Sequence, residues 1–110
     1  MSTETTRAVL DHHMKALNDG DIEAVMADYA DDCVFINTTG TTIGAASLRA
    51  MFSKVPAGMV DHMEMLHSVA EGDIGYIVWR MANIPMGTDT FVVRGGKIVA
   101  VKTVATYTGA

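Results

Sequence analysis

A change of hydrophobic period near the middle of the chain constrains the fold most. Up to Lys54, apolar residues recur at helical spacing; from Val60 onward they recur in strand-like runs. Thr6, Val9, Leu10, His13, Met14 and Leu17 share one face at about 100° per residue, with Asp11, Lys15 and Asn18 opposite. Gly20 is placed to cap that helix. Asp21 is placed to open a second over residues 22–29, with Glu23 near its positive end and Ile22, Val25, Met26 and Tyr29 as its apolar stripe. Asp31 and Asp32 end it. Residues 33–36 read as a short strand, and residues 37–44 as a turn followed by a short extended piece. Residues 45–54 read as a third amphipathic helix, with Leu48, Met51 and Phe52 inward, stopped by Pro56 and Gly58.

Four strand-like runs follow, over residues 60–70, 74–83, 86–94 and 97–106. Glu71-Gly72-Asp73 and Gly95-Gly96 supply hairpin turns, and Ile84-Pro85 bridges the middle pair, where a proline interrupts the ladder. Helices followed by an antiparallel meander is an α+β order. A strongly curved sheet with the helices on its concave side would form a half-open cone, and the interior of so small a cone is a place for a ligand.

Composition narrows the class. At 110 residues, 49% hydrophobic and 19% charged, the chain is expected to form a single domain over residues 1–110 with one core. Domains of this size hide only roughly two-thirds of the unfolded chain's surface, so a homodimer is expected. The charge of -5, from 8 basic and 13 acidic residues without a basic cluster, argues against nucleic acid as a partner. No apolar run approaches the roughly 20 residues of a membrane span, so no membrane partner is expected. The first residues are polar and unlike a signal peptide, and the lone Cys33 gives neither an internal disulfide nor a cysteine zinc site. The Asn37-Thr38-Thr39 sequon then reads as chance, and the expected location is cytoplasmic.

Certain polar residues stand in apolar patterns. His13 sits near the centre of the first helix's apolar face, where a ring nitrogen needs either a backbone partner or a polar cavity. Asp89, Phe91 and Val93 share a strand face; inward, Asp89 would have its pKa raised by desolvation, and otherwise it is a turn aspartate. Arg80 alternates with Val78 and Tyr76. Inward, Arg80 could anchor a carboxylate or polarise a carbonyl beside Val78; outward, it is a rim or interface salt bridge. Asn37 is either a donor to a substrate oxygen or the turn residue its Thr-Thr-Gly context suggests. His62 and Glu64 alternate opposite Met63, Met65 and His67, as a solvated face or a proton relay. No metal site is expected, since the histidines and acids lack converging spacing. The nine methionines suit an adaptable core or interface. Trp79 and the Met63/Met65 or His62/Glu64 faces are the interface candidates, on the sheet's outer side. No nucleophile motif, phosphate loop or dinucleotide fingerprint appears, so no cofactor is expected.

The segments Gly20-Asp21-Ile22-Glu23-Ala24-Val25 and Tyr29-Ala30-Asp31-Asp32-Cys33-Val34-Phe35 resemble the nuclear transport factor 2-like superfamily, which includes ketosteroid isomerases and SnoaL-like polyketide cyclases. Gly44 with Leu48 and Phe52, and the hairpin at Gly95-Gly96-Lys97-Ile98, continue the likeness over nearly the whole chain. The resemblance implies a cystatin-like roll with a pocket inside. It places the isomerases' pocket tyrosine at His13, their aspartate base at Asn37, and their second acid, kept neutral by apolar surroundings, at Asp89 if one turn residue is deleted. Asn37 cannot abstract a proton, so the usual steroid route lacks its base here.

Together these readings predict a cofactor-independent isomerase, lyase or cyclase acting by acid–base catalysis on an apolar carbonyl-containing small molecule. Asp89 would transfer the proton, His13 would serve the developing oxyanion, and Asn37, Arg80, Phe91 and Val78 would bind substrate. A non-catalytic binding or dimerisation domain is the alternative. Asp89 and His13 in one cavity would titrate as a coupled unit, with apparent pKa values of about 5 to 8.

Overall fold

Ser2 opens the first helix by accepting the Thr5 amide on its side chain, and Gly20 closes it in the left-handed conformation (φ 71°). The next residue, Asp21, caps a second helix through the Ala24 amide. The computed structural model describes residues 2–55, 62–82 and 84–106. Their order is α1 (Thr3–Asp19), α2 (Ile22–Ala27), β1 (Tyr29–Asn37), β2 (Gly40–Ile43), α3 (Ala45–Phe52), β3 (Glu64–Glu71), β4 (Ile74–Met81), β5 (Ile84–Arg94) and β6 (Lys97–Thr106). The expected helix stop at Pro56 and Gly58, the strand start at Val60 and the strand end at Asn83 lie outside the described residues.

The six strands form one curved sheet in the order β2-β1-β6-β5-β4-β3. The expected meander over β3 to β6 is present, joined by turns at Gly72-Asp73 and Gly95-Gly96. β1 lies parallel to β6, which the hairpin pattern alone did not indicate. That pairing also corrects α2. The helix ends at Ala27 rather than Tyr29, because the Asp28 carbonyl accepts the Ile98 amide and Tyr29 pairs with Ile98 in the sheet. Breaks in register occur between Met65 and His67, Trp79 and Met81, and Val92 and Val93. Such bulges bend a strand and strengthen its twist, which gives the sheet a concave side.

Alternation then sorts the side chains. Along β4, Gly75, Ile77 and Trp79 are buried on the concave side, while Tyr76, Val78 and Arg80 face out. Two sequence-based readings are corrected here. Arg80 and Val78 do not face the interior, and Trp79 is a concave-side residue, 7% exposed, rather than an outer-face one. Ile77 stands opposite Asp89, so Asp89 shares its inward face, with Phe91 and Val93 following.

α1 crosses the concave side near the β3–β4 hairpin. A Cβ on Gly75 would lie 2.3 Å from Leu10 Cδ1, so a side chain there would displace Leu10. The Thr6 hydroxyl donates to the Gly72 carbonyl, and the Gly72 amide donates to Thr3 Oγ1. These contacts set the helix's position, and His13, one turn beyond Leu10, is carried into the interior.

Candidate functional site

A cavity of about 160 Å³ opens between the helices and the sheet. Met14 and Leu17 of α1, Phe35 of β1 and Phe52 of α3 form its apolar wall. Four polar side chains complete it: His13, Trp79, Asp89 and Thr103. A larger depression of about 350 Å³ at His62, Glu64 and Arg80 is an open feature of the rim, and its Arg80 and Glu64 are already paired with each other. The smaller cavity is the better site on chemical grounds. Among the described residues, four buried side-chain polar atoms lack a hydrogen-bond partner, and His13 Nδ1, Trp79 Nε1 and Asp89 Oδ1 are three of them. Leaving such an atom unpaired costs roughly 1–3 kcal/mol, so three around one apolar space is an arrangement that a ligand offsets.

His13 is 2% exposed and held edge-on by Tyr29, Phe52 and Phe91, with ring centroids 5.3, 5.9 and 5.7 Å away. Burial, and secondarily the neighbouring His12, lower its pKa from 6.5 to about 4, so the ring is neutral near pH 7. Its Nε2 lies 3.3 Å from the Tyr29 hydroxyl. Tyr29 is buried too, and desolvation with the nearby charge of Asp89 raises its pKa well above 10.0, so its proton stays on. No other acceptor for that proton is found among the described residues. The pair is satisfied when Tyr29 O–H donates to Nε2, which assigns the His13 proton to Nδ1 and makes Nδ1–H a donor in need of an acceptor.

Burial raises the Asp89 pKa above 3.8, opposed by the Thr103 hydroxyl and the Trp79 indole, which favour the charged form. The indole therefore lies close enough to the carboxylate to influence it, but among the described residues neither Asp89 Oδ1 nor Trp79 Nε1 completes a hydrogen bond of good geometry. His13 and Asp89 share the cavity, but they are shifted by different neighbours. His13 is displaced by burial and by His12, and the group that feels the charge of Asp89 is Tyr29.

Of the residues singled out in the sequence, the structure brings His13 and Asp89 to the cavity and sets Phe91 behind His13. The others lie elsewhere. Asn37 Oδ1 accepts the amides of Thr39 and Gly40 at 2.9 and 3.0 Å, so the side chain is spent on the β1–β2 turn. Arg80 is exposed and donates to Glu64 at 2.9 Å across the outer face, and Val78 lies on that same face. Glu64 is therefore an ion-pair partner, and no cluster of three or more histidine, cysteine or acidic side chains able to hold a metal occurs among the described residues. Tyr29, Trp79 and Thr103 join the site without a sequence pattern that assigns them to it. For Trp79 the nearest signal is Gly75 and Gly87, which mark the crowded face of the β4–β5 pair. Tyr29 was hidden in an apparent helical stripe, and Thr103 carries no sequence signal.

Helices α1 to α3 against the concave side of a curved six-stranded sheet, with a pocket between, define the nuclear transport factor 2-like class. Within it, residues 10–102 match the SnoaL-like domain, and the chain belongs to that family. A protein of this class and of unknown function from Burkholderia xenovorans LB400 is 21% identical, with a TM-score of 0.80 over 97% of this chain and 87% of that one. A Kribbella flavida protein provisionally designated a ketosteroid isomerase is 17% identical, with a TM-score of 0.76 over 97% and 82%. SalBIII, an epoxide hydrolase/cyclase-like enzyme of salinomycin pyran-ring formation, is 17% identical, with a TM-score of 0.76 over 94% and 92%. No curated protein matches the sequence. At these identities the structural likeness establishes the fold, and the chemistry has to be argued from the site. No helix among the described residues is long and apolar enough to cross a membrane.

Proposed function

We propose that the cavity is the active site of a cofactor-independent acid–base enzyme acting on a small apolar carbonyl compound. The carrying observation is the set of unpartnered polar atoms of His13, Trp79 and Asp89 around one apolar space. Asp89 takes the proton from the carbon next to the carbonyl. Its raised pKa brings its basicity closer to what such a transfer needs than an exposed carboxylate's would be. His13 Nδ1–H donates to the carbonyl oxygen as negative charge develops there, and Tyr29 holds the ring in that tautomer. A neutral imidazole suits this role, since it donates without first losing a proton. Return of the proton to a different atom gives isomerisation, and expulsion of a leaving group gives elimination; the ketosteroid isomerase-like and cyclase-like neighbours support this range. A cavity of about 160 Å³ is close to the roughly 150 Å³ that accommodates benzene, so the reacting part of the substrate is about one ring in size.

The test is α-proton exchange of cyclohexanone in D2O, followed by NMR. Wild-type protein should exchange the α-protons faster than buffer alone, and Asp89→Asn should lower that rate by at least about a hundredfold, the lower end of what general-base catalysis supplies. Wild-type exchange no faster than buffer would refute the enzyme reading and leave a binding domain.

We also infer a homodimer through the outer face of the sheet. Val69, Ile74 and Val104, which share that face, leave 37%, 43% and 44% of their surfaces exposed. Light scattering at micromolar concentration should give twice the 11.8 kDa chain mass, and a single-chain mass would remove the inference.

A further inference from the structure

We propose that Trp79, seated on Gly87, is a ligand-contacting residue: its indole N–H is the hydrogen-bond donor that makes the cavity select a one-ring molecule bearing an acceptor oxygen over a purely apolar ring of equal size. The inference rests on the cavity being a ligand site, and not on any proton transfer there.

The strand register sets up the contact. Trp79 stands directly opposite Gly87 across the β4–β5 ladder, and Asp89 lies diagonally beyond on the same face. The indole packs directly against the glycine. A Cβ at position 87 would lie 2.3, 2.4 and 2.7 Å from Trp79 Cζ2, Cε2 and Cη2, well inside any real contact. Gly87 is thus the residue that lets the ring sit where it does. In that position Trp79 is 7% exposed, lines the cavity, and holds its N–H buried beside the Asp89 carboxylate without completing a hydrogen bond to it. Buried indole N–H groups ordinarily find an acceptor. Among the described residues the group this indole faces is the Asp89 carboxylate, whose charged form it favours, yet the two complete no hydrogen bond and Asp89 Oδ1 is unpaired as well. An oxygen entering the cavity relieves the indole donor, whereas a hydrocarbon ring of the same size leaves it unpaired.

The chain has a single tryptophan, so a 15N-labelled sample gives one indole resonance and the donor can be watched directly. Cyclohexanone and toluene each have about seven heavy atoms and serve as the probes. Saturating cyclohexanone should move the indole proton downfield, and toluene should not. Calorimetry should find the ratio of cyclohexanone to toluene affinity about tenfold higher in wild type than in Trp79→Phe, the worth of one well-made hydrogen bond. Gly87→Ala, checked for folding by circular dichroism, should weaken cyclohexanone binding, because the added methyl takes the space beneath the ring.

Each contrary outcome is informative. Cyclohexanone binding with the indole resonance unmoved, or a preference unchanged in Trp79→Phe, overturns the role of Trp79 while leaving the cavity a ligand site. Undiminished binding in Gly87→Ala overturns the role of Gly87. Absence of any binding of either probe overturns the proposal together with the reading of the cavity as a ligand site.

Discussion

The two faces of β4 treat polar groups in opposite ways. On the outer face Arg80 meets Glu64 in the open, with side chains 52% and 59% exposed, and water serves whatever the pair leaves unsatisfied. One residue earlier, on the concave face, Trp79 Nε1 is buried without completing a hydrogen bond, as are His13 Nδ1 and Asp89 Oδ1 around the same cavity. An exposed ion pair contributes roughly 0–1 kcal/mol and is easily exchanged for another. A buried orphan costs stability, and chains retain such groups where something other than stability depends on them. The contrast points to the concave face as the functional one more firmly than cavity volume does, since the rim depression beside Arg80 is the larger of the two.

Core truncation should show the largest difference between the faces. Phe91 is 2% exposed and braces His13, so Phe91→Ala should lose about 3–5 kcal/mol in urea denaturation. Val104→Ala on the outer face should stay within about 0.5 kcal/mol of wild type in the monomer. Equal losses would erase the distinction between the faces.

Acid stability should come next. The His13 pKa is about 4 when folded and 6.5 in a free chain. The unfolded state therefore binds the extra proton first, and stability is lost as pH falls from 6.5 through 4. At about 1.4 kcal/mol per unit, the full loss is on the order of 3 kcal/mol. His13→Gln should lack this part of the acid limb, and an identical limb in both proteins would show that His13 is not held neutral by burial.

The smallest effect sharpens the comparison at a carboxylate. The folded-state pKa of Asp89 is raised, so its contribution is present below the ordinary carboxylate range and lost as pH rises through the raised value. At pH 7, Asp89→Asn should stabilise the fold by about 1 kcal/mol. Glu64→Gln should change stability by less than about 0.5 kcal/mol. Destabilisation by Asp89→Asn would mean that the carboxylate is structurally required.

The sequence made the architecture legible through local signals. The change from helical to strand period, the caps at Gly20 and Asp21, and the turns at Gly72 and Gly95-Gly96 all lie where the structure has them. His13 stood out because a titratable ring occupied the centre of an apolar stripe, and Asp89 because it alternated with Phe91 and Val93. The remaining features depend on long-range pairing. Placing both Asp89 and the Arg80 face inward seemed open in sequence, yet the register Ile77 to Asp89 makes the two choices exclusive. Met81 pairs with Ile84, and a shift between Trp79 and Met81 separates that pair from the Ile77–Asp89 register, where the sequence showed only a proline interruption. Tyr29 looked helical until Ile98, far along the chain, drew it into the sheet.

The pH dependence of cyclohexanone α-proton exchange tests the central claim most directly, because it reports on the state of the base while it works. Catalysis requires ionised Asp89, so the rate should rise with pH through a single step and then level off. The midpoint should lie above the ordinary carboxylate value, in line with burial of Asp89, and Asp89→Asn should abolish the step. A rate that climbs with hydroxide alone, or a step that survives in Asp89→Asn, would contradict the assignment of Asp89 as the proton-transfer group.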